Sequence, residues 1–571
     1  MFSHSFERAS LPSFRGAMQI VFAGAILLPC LANAGALPPL PALPMFATPR
    51  SIDGSGNNIA NPSWGEAGTQ VIRLADPDYA DGANEPAGAS RPSTRVVSNA
   101  IAAQNGSIPS KKGFSSILWG WGQFLAHDLD LMHTGNEDFN IPVPPGDFGG
   151  AITEIPLKRS VFDPATGTGP GNPRQQVNAL TSYIDASMVY GSDPVMAANL
   201  RTNGGTGAHL RTSAGNLLPV EKGFFVGGDE RVNENAMLTS FHTLFVREHN
   251  RLVDAIKADN PAMTDEQVYQ KARHTVAGQI QAITYNEYLP LILGENSGLP
   301  AYGGYDESVN ATIANVFATA AFRVGHTQLN AAIRFEGLDG TENLVPLEQC
   351  FFNPGCFTAH GVGATLVGMA GQRAQEIDTK LDDAIRNMLI TAPGVTQGVD
   401  LTAINMQRGR DHGLPSYGEM LAALNLGEST IPDSLKADLL ALYGSLSEVD
   451  VYIGGLAEAH FGDGVVGKLF HAVLSDQFLR LREGDRFFYL NGELFDPAFS
   501  GWLDSVTLAD IVGWNTEYEI PEGANMFMTG EASGHPIPVP APIVMLGTLV
   551  LTAGIYSRRQ RARRRAQTAA D

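Results

Sequence analysis

A ten-residue segment, WGQFLAHDLD (residues 121–130), mixes large apolar side chains with four polar ones. The polar residues are Gln123, His127, Asp128 and Asp130. In a helix, Gln123 and His127 share one face because they are four positions apart, whereas Asp128 points about 100° away from His127. Burying such groups is costly unless each has a partner. The segment therefore predicts a helix that serves two sites, one on each side.

Four further segments combine histidine, arginine or carboxylate residues with apolar neighbours. They are LTSYIDASMVYGS (180–192), GDERVNENAMLTSFHTLFVREHNRL (228–252), AFRVGHTQLN (321–330) and INMQRGRDHGLPSY (404–417). Histidine exchanges protons near neutral pH and binds metals, and arginine carries a permanent charge that suits anions. These segments supply candidate groups for proton transfer, anion binding and metal ligation.

Helical periodicity dominates the pattern of apolar residues. One apolar face consists of Leu238, Phe241, Phe245, Leu252 and Ile256. Thr264 and Gln267 form a capping box before a second helical stretch, Val268–Leu293. Further helices are expected at Ile313–Leu329, Ala374–Thr391 and Val466–Leu481. Because strand patterns are short and few, the predicted fold is mainly α, a single large helical domain with long loops.

The chain is acidic and rich enough in apolar residues to form a large core. Of its 571 residues 44% are hydrophobic, and 38 Lys and Arg against 59 Asp and Glu give a net charge of −21. Such a surface repels nucleic acids and anionic membranes. We therefore expect no nucleic-acid partner.

Residues 1–34 have the pattern of a secretory signal peptide. Basic Arg8 and Arg15 precede the apolar run Ala17–Leu31, and Ala32–Ala34 is a small-x-small cleavage site. A permanent N-terminal anchor is the weaker reading because the apolar run is too short to span a bilayer. Residues 35–50 are proline-rich and predict a linker.

Two cysteines remain after removal of the signal peptide, which contains Cys30. Cys350 and Cys356 lie close together in CFFNPGC. In an exported protein this spacing favours a local disulfide. A metal-binding pair is the minor alternative, because no other cysteine remains to complete a site.

Together with DQFLRLREGDRFFY (476–489), these segments resemble the animal-type haem peroxidases of the peroxidase–cyclooxygenase superfamily, in a bacterial version. The resemblance covers residues 51–530, nearly the whole mature chain, and the motifs occur in the family's order. It implies a single mainly helical peroxidase domain that binds haem b. It also implies that hydrogen peroxide and a small electron donor are the substrates.

The resemblance implies roles for three residues on the distal side of the haem. His127 resembles the distal histidine, which would carry a proton from one peroxide oxygen to the other. Gln123, one helical turn earlier, would hydrogen-bond distal water or a halide. Arg231 resembles the distal arginine, whose charge would stabilise the departing hydroxide.

Four residues are implied on the proximal side. His326, in FRVGHT, resembles the proximal ligand of the haem iron, and Asn405, in INMQR, resembles the residue that accepts a hydrogen bond from it. Arg323 and Arg408 match arginines near the haem, where pairing with the propionates is one expected role.

The family often attaches its haem through ester bonds to one aspartate and one glutamate. Glu234 matches the glutamate and, three residues after Arg231, is expected on the same helical face. Ala126 stands where the aspartate would be, and Asn235 replaces a methionine that makes a third link in one family member. At most one ester is expected. Bromide, iodide, thiocyanate or phenols are then easier donors than chloride.

The second face of the first segment resembles the family's calcium site. The matching ligands are Asp128, Thr181, Tyr183, Asp185 and Ser187, with Tyr183 contributing its main-chain carbonyl. Alternate residues of an extended segment face the same way. A hard cation takes roughly six to eight oxygen ligands, which two carboxylates with hydroxyls and carbonyls provide. Calcium would therefore hold the distal helix from behind.

Residues 531–571 resemble a bacterial PEP-CTERM sorting tail, with Val-Pro-Ala-Pro replacing the usual Pro-Glu-Pro. The proline-rich stretch Pro536–Pro542 precedes the apolar run Ile543–Tyr556, and six arginines follow between Arg558 and Arg565. The resemblance implies a transient membrane anchor and cleavage by an exosortase-like enzyme at the cell surface. A permanent C-terminal anchor is the alternative.

The leading functional hypothesis is a secreted or surface-attached haem peroxidase that oxidises halides, pseudohalides or small aromatic donors through a ferryl intermediate. A haem-dependent fatty-acid dioxygenase is the second hypothesis. That chemistry needs a tyrosine near the proximal histidine, and Arg323 occupies the position three residues before His326. A non-enzymatic, calcium-stabilised surface protein is the third.

Overall fold

The computed structural model describes residues 49–296, 298–388 and 399–529. The predicted signal peptide, the C-terminal tail and all of the linker before residue 49 lie outside this range. Arg50 is buried, and its Nη2 donates to both carboxylate oxygens of Asp485, at 2.9 and 2.7 Å. The folded domain therefore begins slightly before the predicted linker boundary.

The described chain is mainly helical, as predicted. Its α-helices are α1 (Thr94–Val97), α2 (Ile117–Leu129), α3 (Ser187–Tyr190), α4 (Pro194–Leu200), α5 (Thr202–Gly205), α6 (Ala236–Asp259), α7 (Asp265–Ile283), α8 (Leu289–Leu293), α9 (Asn315–Thr319), α10 (Leu347–Cys350), α11 (Pro354–Ala370), α12 (Leu401–Asp411), α13 (Tyr417–Ala423), α14 (Asp433–Tyr443), α15 (Val451–Ala457), α16 (Lys468–Glu483), α17 (Pro497–Ser505) and α18 (Leu508–Asn515).

The strands of the described residues are short and form separate two-stranded antiparallel sheets, as predicted. The pairs are β1 (Thr69–Gln70) with β6 (Val177–Asn178), β2 (Thr134–Asp138) with β5 (Lys158–Ser160), β3 (Ile141–Pro142) with β4 (Glu154–Ile155), β7 (Val220–Glu221) with β8 (Phe224–Phe225), and β9 (Ala332–Glu336) with β10 (Glu342–Pro346). None of these sheets is large enough to form a core of its own.

Four of the helix predictions are confirmed, two of them by α2 and α6, which contain residues 121–129 and the apolar face at 238–256. The stretch predicted at Val268–Leu293 is α7, which continues through a π-helical turn into α8, and the capping box of Thr264 and Gln267 is present. The helix predicted at Val466–Leu481 is α16. In both regions the apolar pattern persists over several turns, which is the condition under which periodicity is informative.

The other two helix predictions are wrong as long helices, and residues 389–391 of the second lie outside the described residues. At Ile313–Leu329 the chain forms only the short α9 and then a 3₁₀ helix, Ala321–Gln328, because Ala320 leaves the helical conformation at φ −136°. Between Ala374 and Leu381 the backbone pairs with distant segments instead; the Gln375 N–H, for example, donates to the Gln328 carbonyl. A single π-helical turn follows at Ala384–Met388.

The core is centred on α2, which packs against α6 and the 3₁₀ helix. Trp121 contacts Phe241 edge to face at 5.7 Å between ring centroids, and Phe124 stacks on Phe245 at 5.4 Å. The indole N–H of Trp121 donates to Thr284 Oγ1 at 3.3 Å. These contacts fix the rotation of α2 about its axis, so its polar residues face defined neighbours.

The predicted disulfide is confirmed: Cys350 and Cys356 are bonded, with a Cα–Cα distance of 5.2 Å. It closes a short loop between α10 and α11. In the described part of the chain, no helix combines the length and the hydropathy that a membrane crossing requires.

Candidate active site

The Gln123 face of α2 meets the turn that precedes α6. Gln123 Nε2 donates to Glu234 Oε2 at 2.8 Å, and Asn235 Nδ2 donates to Gln123 Oε1 at 2.9 Å. His127 Nε2 lies 3.8 Å from Glu234 Oε2. The structure thus brings Gln123, His127 and Glu234 together. It also gives Gln123 two protein partners, where the sequence predicted water or a halide.

The same turn contains Arg231 and a further carboxylate, Asp229, which the sequence analysis did not single out. Arg231 Nε and Nη2 each donate to a different oxygen of Asp229 at 2.8 Å. Asp229 Oδ1 also lies 3.6 Å from His127 Nδ1. Burial alone would raise the pKa of Asp229, but the Arg231 guanidinium and His127 hold it below its ordinary value. The sequence could have indicated Asp229, because it is a carboxylate two positions before the candidate distal arginine, Arg231.

Arg231 and Glu234 do not share a helical face, which corrects the prediction. Helix α6 begins only at Ala236, after the N-cap residue Asn235, and the two residues lie in the preceding turn. They are still close, because the Glu234 N–H donates to the Arg231 carbonyl at 2.9 Å. Gly228 is required just before this turn, since a Cβ there would collide with the main-chain oxygen of Ser187.

His127 is neutral in this environment. Burial lowers the pKa of His127 well below its ordinary value, and the positive charge of Arg231 lowers it further. Its Nδ1 is buried without a hydrogen-bond partner among the described residues. A neutral imidazole beside a permanent cation can accept a proton from an acidic ligand, which is the chemistry expected of a general base.

The second part of the site is the 3₁₀ helix, which presents Arg323 and His326. A 3₁₀ helix has about three residues per turn, so positions three apart lie on one face. Asn405 of α12 contacts both residues: Nδ2 lies 2.8 Å from His326 Nδ1, and Oδ1 accepts from Arg323 Nη1 at 2.8 Å. Burial, assisted by Arg323, lowers the pKa of His326 to about 3, so its imidazole is neutral.

The contact between Asn405 and His326 has the opposite direction from the one predicted. An imidazole that binds a metal through Nε2 carries its proton on Nδ1 and needs an acceptor there. Here the acceptor oxygen of Asn405 is engaged by Arg323, and the amide nitrogen faces His326. The predicted direction therefore requires Arg323 to exchange Asn405 for another partner. His326 Nε2 has no hydrogen bond with a described residue.

Asp130 links the two sides of the site. Burial raises the pKa of Asp130 to about 6, against the opposing effect of the nearby Arg231 and Arg323. Its main-chain oxygen accepts from Arg231 Nη2 at 3.1 Å. Asp130, which had no assigned role in the sequence analysis, is therefore close to arginines from both the distal turn and the 3₁₀ helix.

Arg408 lies near the proximal groups, because burial and the charge of Arg408 both lower the pKa of Arg323. Its Nη1 donates to Asp411 Oδ2 at 2.8 Å and to Ser160 Oγ at 2.9 Å, and the side chain is buried. These partners tie α12 to β5. These contacts give the guanidinium a framework role, and its contact with the haem propionates stays a prediction.

The opposite face of α2 carries Asp128, which meets the segment predicted to bind calcium. Asp128 Oδ1 accepts from the Ser187 hydroxyl at 2.7 Å, and Asp128 Oδ2 accepts from the N–H of Ala186 at 3.0 Å. Thr181 Oγ1 donates to Asp185 Oδ1 at 3.0 Å. The main chain bends sharply at Ala186, whose φ is +64°. These contacts bring four of the five predicted ligands together, and Tyr183 lies between them in the same segment.

The charges in this cluster fit a cation. Burial and the neighbouring Asp185 raise the pKa of Asp128, and burial raises that of Asp185 despite nearby Arg50 and Arg273. Asp185 Oδ2 is buried without a hydrogen-bond partner among the described residues. Two buried carboxylates with one unpaired oxygen are what a hard cation would satisfy. Among the described residues no group of three or more His, Cys, Asp or Glu side chains could hold a metal ion, so a cation here would need neutral oxygens as further ligands.

Comparison with known proteins decides the family. The family described as "Animal haem peroxidase" matches residues 49–527. The chain belongs to this family. Peroxinectin A of Dictyostelium discoideum is 35% identical over 486 residues, which cover 78% of this chain and 89% of that protein. Lactoperoxidase of Mesocricetus auratus is 33% identical over 540 residues, covering 82% and 76%.

The chain corresponds to only 36% of the peroxidasin homolog of Mus musculus, to which it is 34% identical. Among solved structures, Peroxidase A from Dictyostelium discoideum superposes with a TM-score of 0.77 at 31% identity, covering 85% of this chain and all of that one. An Oryza sativa fatty acid α-dioxygenase superposes at 0.73 with 19% identity and shares the fold. Membership of the family makes the chain a haem peroxidase, which uses hydrogen peroxide and an electron donor.

Proposed function

We propose that this peroxidase is exported and holds one haem b between His326 and His127, where it reduces hydrogen peroxide and oxidises a small donor. The bound haem supplies a redox-active iron that takes oxidising equivalents from peroxide. The observation that supports the proposal is a pair of buried, neutral histidines, His127 near Arg231 and His326 near Arg323, with Asp130 close to both arginines.

On the distal side, His127 takes the proton from one peroxide oxygen and returns it to the other, which departs as water. Nε2 is the nitrogen that faces Glu234 and Gln123, and Nδ1 faces Asp229. Arg231 provides a positive charge that stabilises negative charge on the peroxide oxygens. Asp229 fixes this charge in place through two hydrogen bonds, so little reorganisation is needed.

On the proximal side, His326 would hold the haem iron through Nε2, which requires the imidazole proton to sit on Nδ1. The fit is supported by the partial exposure of the imidazole, the lack of a described protein partner at Nε2, and the neutral state that its lowered pKa ensures. Asn405 would orient the ring by accepting from Nδ1–H, after Arg323 has exchanged the Asn405 oxygen for another partner. An amide in this position leaves the imidazole less anionic than a carboxylate would, which favours a more oxidising iron.

Glu234 is the one carboxylate of the predicted ester pair. Its carboxylate is 20% exposed and hydrogen-bonded to Gln123, so it can reach a group bound beside α2. Ala126 cannot form the second ester, and Asn235 is occupied as the N-cap of α6. With at most one covalent link we expect bromide, iodide, thiocyanate or phenols as donors. Comparison of Glu234→Gln with the parent by acid–solvent extraction of haem tests the ester.

Calcium is proposed to bind Asp128, Asp185, Thr181, Ser187 and the carbonyl of Tyr183. The support is the unpaired oxygen of Asp185 and the pair of buried carboxylates. Because Asp128 directly follows His127, the ion would hold the distal helix in register with the turn that carries Arg231.

The decisive test is purification of the exported chain from cells supplied with haem. The parent should show a Soret band that shifts on addition of peroxide. His127→Ala should keep the band and lose the rapid shift. Steady-state assays with bromide, iodide, thiocyanate and guaiacol then identify the donor. A chain that is colourless after expression with excess haem would contradict the proposal.

The proposed export signals lie outside the described residues: a signal peptide in 1–34 and a sorting or anchoring tail in 531–571. Cleavage of the tail by an exosortase-like enzyme would release a surface-attached protein. Intact mass of the protein recovered from the producing cells defines both ends. It should begin after Ala34 and, if the tail is cleaved, end before Ile543.

The dioxygenase hypothesis has less support in this site. Arg323, three positions before His326, donates to Asn405, and no tyrosine occupies that position. Tyr452 is the tyrosine to test, because it lines a small cavity together with Asn405 and Met406. Oxygen uptake with an unsaturated fatty acid that disappears in Tyr452→Phe would revive this hypothesis, and no uptake is expected.

A further inference from the structure

A loop far away in sequence contacts the turn that carries Arg231 and Glu234. Residues 350–356, the disulfide loop, are closed by the bond between Cys350 and Cys356. Within this loop the Phe352 N–H donates to the main-chain oxygen of Glu234 at 3.2 Å. The contact joins the α10–α11 connection directly to the residue whose carboxylate approaches His127.

The Glu234 carbonyl needs this partner. Glu234 precedes Asn235, the N-cap of α6, and the first helical hydrogen bond runs from the Thr239 N–H to the Asn235 carbonyl. The helix therefore offers the Glu234 carbonyl no partner. A main-chain carbonyl inside the protein is costly unless it is paired. The Phe352 N–H therefore supplies the partner of this carbonyl just before the turn enters α6.

The disulfide holds Phe352 in the conformation that makes the contact. Phe352 has a φ of +48°, which is unfavourable for a residue with a Cβ. The loop around it is fixed by the disulfide and by the Asn353 side chain, which accepts from the Gly355 N–H at 3.0 Å. Without the disulfide, the loop can relax to more favourable backbone conformations, and the N–H turns away.

A second contact holds the turn from the same side. The Asn233 side chain accepts from the Phe225 N–H at 2.9 Å and donates to the Phe225 carbonyl at 2.8 Å. The Phe225 ring packs edge to face on Phe357, which follows Cys356, at 5.3 Å. The turn is therefore attached at two adjacent points to the structure that the disulfide closes.

We propose that the disulfide loop is a positioning element for Glu234. It fixes the main chain of the turn, so that the Glu234 carboxylate stays 3.8 Å from His127 Nε2 and within hydrogen-bond distance of Gln123. Breaking the S–S bond releases the turn. A phosphine does this by reducing the bond to two thiols while it is oxidised to its oxide with an oxygen from water. The expected effect on ligands that bind the haem iron rests on the proposed function. The coupling between the disulfide loop and the turn 229–235 does not.

Hydrogen exchange on haem-free protein tests the coupling. The double variant Cys350→Ser with Cys356→Ser is compared with the parent, both in a Cys30→Ser background so that no other cysteine remains. Exchange should accelerate roughly tenfold or more at Phe352 and in residues 229–235, because the disulfide restrains the loop. Residues 180–187 should be unchanged. Acceleration confined to 350–356 would overturn the proposal.

Two controls distinguish the effect of the disulfide from a folding defect and from an effect of the Phe352 ring. Phosphine treatment of the folded parent should reproduce the double variant, and it serves in place of that variant should the variant fail to fold. Phe352→Asn keeps the N–H and tolerates a positive φ, so exchange in 229–235 should stay at the parent's rate. Faster exchange there would assign the effect to the aromatic ring and contradict the main-chain mechanism.

A functional readout uses cyanide binding to the ferric haem-loaded protein. Loss of the disulfide should weaken cyanide affinity by roughly threefold or more in the parent and have no further effect in Glu234→Ala, because coupled residues are not additive. An equal loss in both backgrounds would show that the loop does not act through Glu234. Should no haem bind, the proposed function fails, and the exchange data still decide the coupling.

Discussion

The two sides of the candidate site differ in how many parts of the chain they require. The proximal side needs two, the 3₁₀ helix with His326 and α12 with Asn405. The distal side needs α2, the turn 229–234, the segment behind Asp128 and the disulfide loop. This difference in the number of segments follows from the chemistry. The proximal side presents a single neutral nitrogen, whereas the distal side holds several charged groups close together.

This comparison predicts different responses to substitution. A substitution of His326 removes the only group proposed to bind the iron. It should therefore abolish haem binding and activity together. A distal change removes one member of a network, and the others remain. Distal effects should therefore be graded, and they should depend on which contacts of the network are lost.

The largest effect is expected for His326→Ala. Removal of the imidazole leaves the iron without a protein ligand, so tight haem binding and peroxidase activity should both be lost. Haem titration of the purified protein, followed by the Soret band, measures this. Addition of free imidazole to the variant should partly restore the band. Unchanged affinity would mean that another residue binds the iron.

His127→Ala should keep haem and lose catalysis. General acid–base groups contribute typically about 10²–10⁴ in rate. We expect a loss within that range in the second-order rate constant for peroxide, measured by stopped-flow absorbance. The matched control is His242→Gln, because His242 is a buried neighbouring histidine without a proposed role. If the rate constant for peroxide fell equally in the two variants, the proposed proton-transfer role of His127 would be contradicted.

Asp229→Asn should have an intermediate effect. The two hydrogen bonds with Arg231 weaken when the carboxylate becomes an amide, because charge-assisted hydrogen bonds are the stronger kind. The rate constant for peroxide should fall about tenfold, while haem affinity is unchanged. A rate equal to that of the parent would show that Arg231 is held without Asp229.

Removal of calcium tests the support behind the distal helix. Chelation should lower the midpoint of thermal unfolding by several degrees and slow the reaction with peroxide, because a bound ion stabilises only the folded state. Asp185→Asn should reduce the response to chelation. The proximal spectral features of ferrous haem should change less than the peroxide rate. If chelation changed neither the unfolding midpoint nor the rate of reaction with peroxide, the proposed calcium site would be contradicted.

The smallest effect concerns His249, which lies outside both sides of the site. Burial lowers the pKa of His249 to about 3 in the folded protein, against 6.5 unfolded. The unfolded chain therefore binds the extra proton as pH falls below 6.5, and stability is lost at about 1.4 kcal/mol per pH unit. His249→Gln should reduce this slope between pH 6.5 and 4 in urea unfolding of haem-free protein. If the dependence of stability on pH were unchanged in His249→Gln, the lowered pKa of His249 would be contradicted.

The sequence predicted residue types better than it predicted backbone. Gln123 and His127 share one face of α2 because they are four positions apart, and both approach Glu234. The contact of Asp128 with Ser187 joins residues far apart in sequence, and it was expected only from the resemblance to the family. The backbone of the proximal segment was predicted as one helix and is a 3₁₀ helix instead, since tertiary contacts override weak periodicity. Asp229 and the Phe352 contact were missed because long-range partners leave no periodic trace in one sequence.

The central claim is that a single haem iron is bound by His326 while His127 faces it from the other side. A crystal structure of the haem-loaded protein, with the iron located by anomalous scattering, tests this most directly. The account predicts iron bonded to His326 Nε2, with His127 across the ring and bonded to no metal. Iron bound by any other side chain, or a porphyrin outside this site, would contradict it.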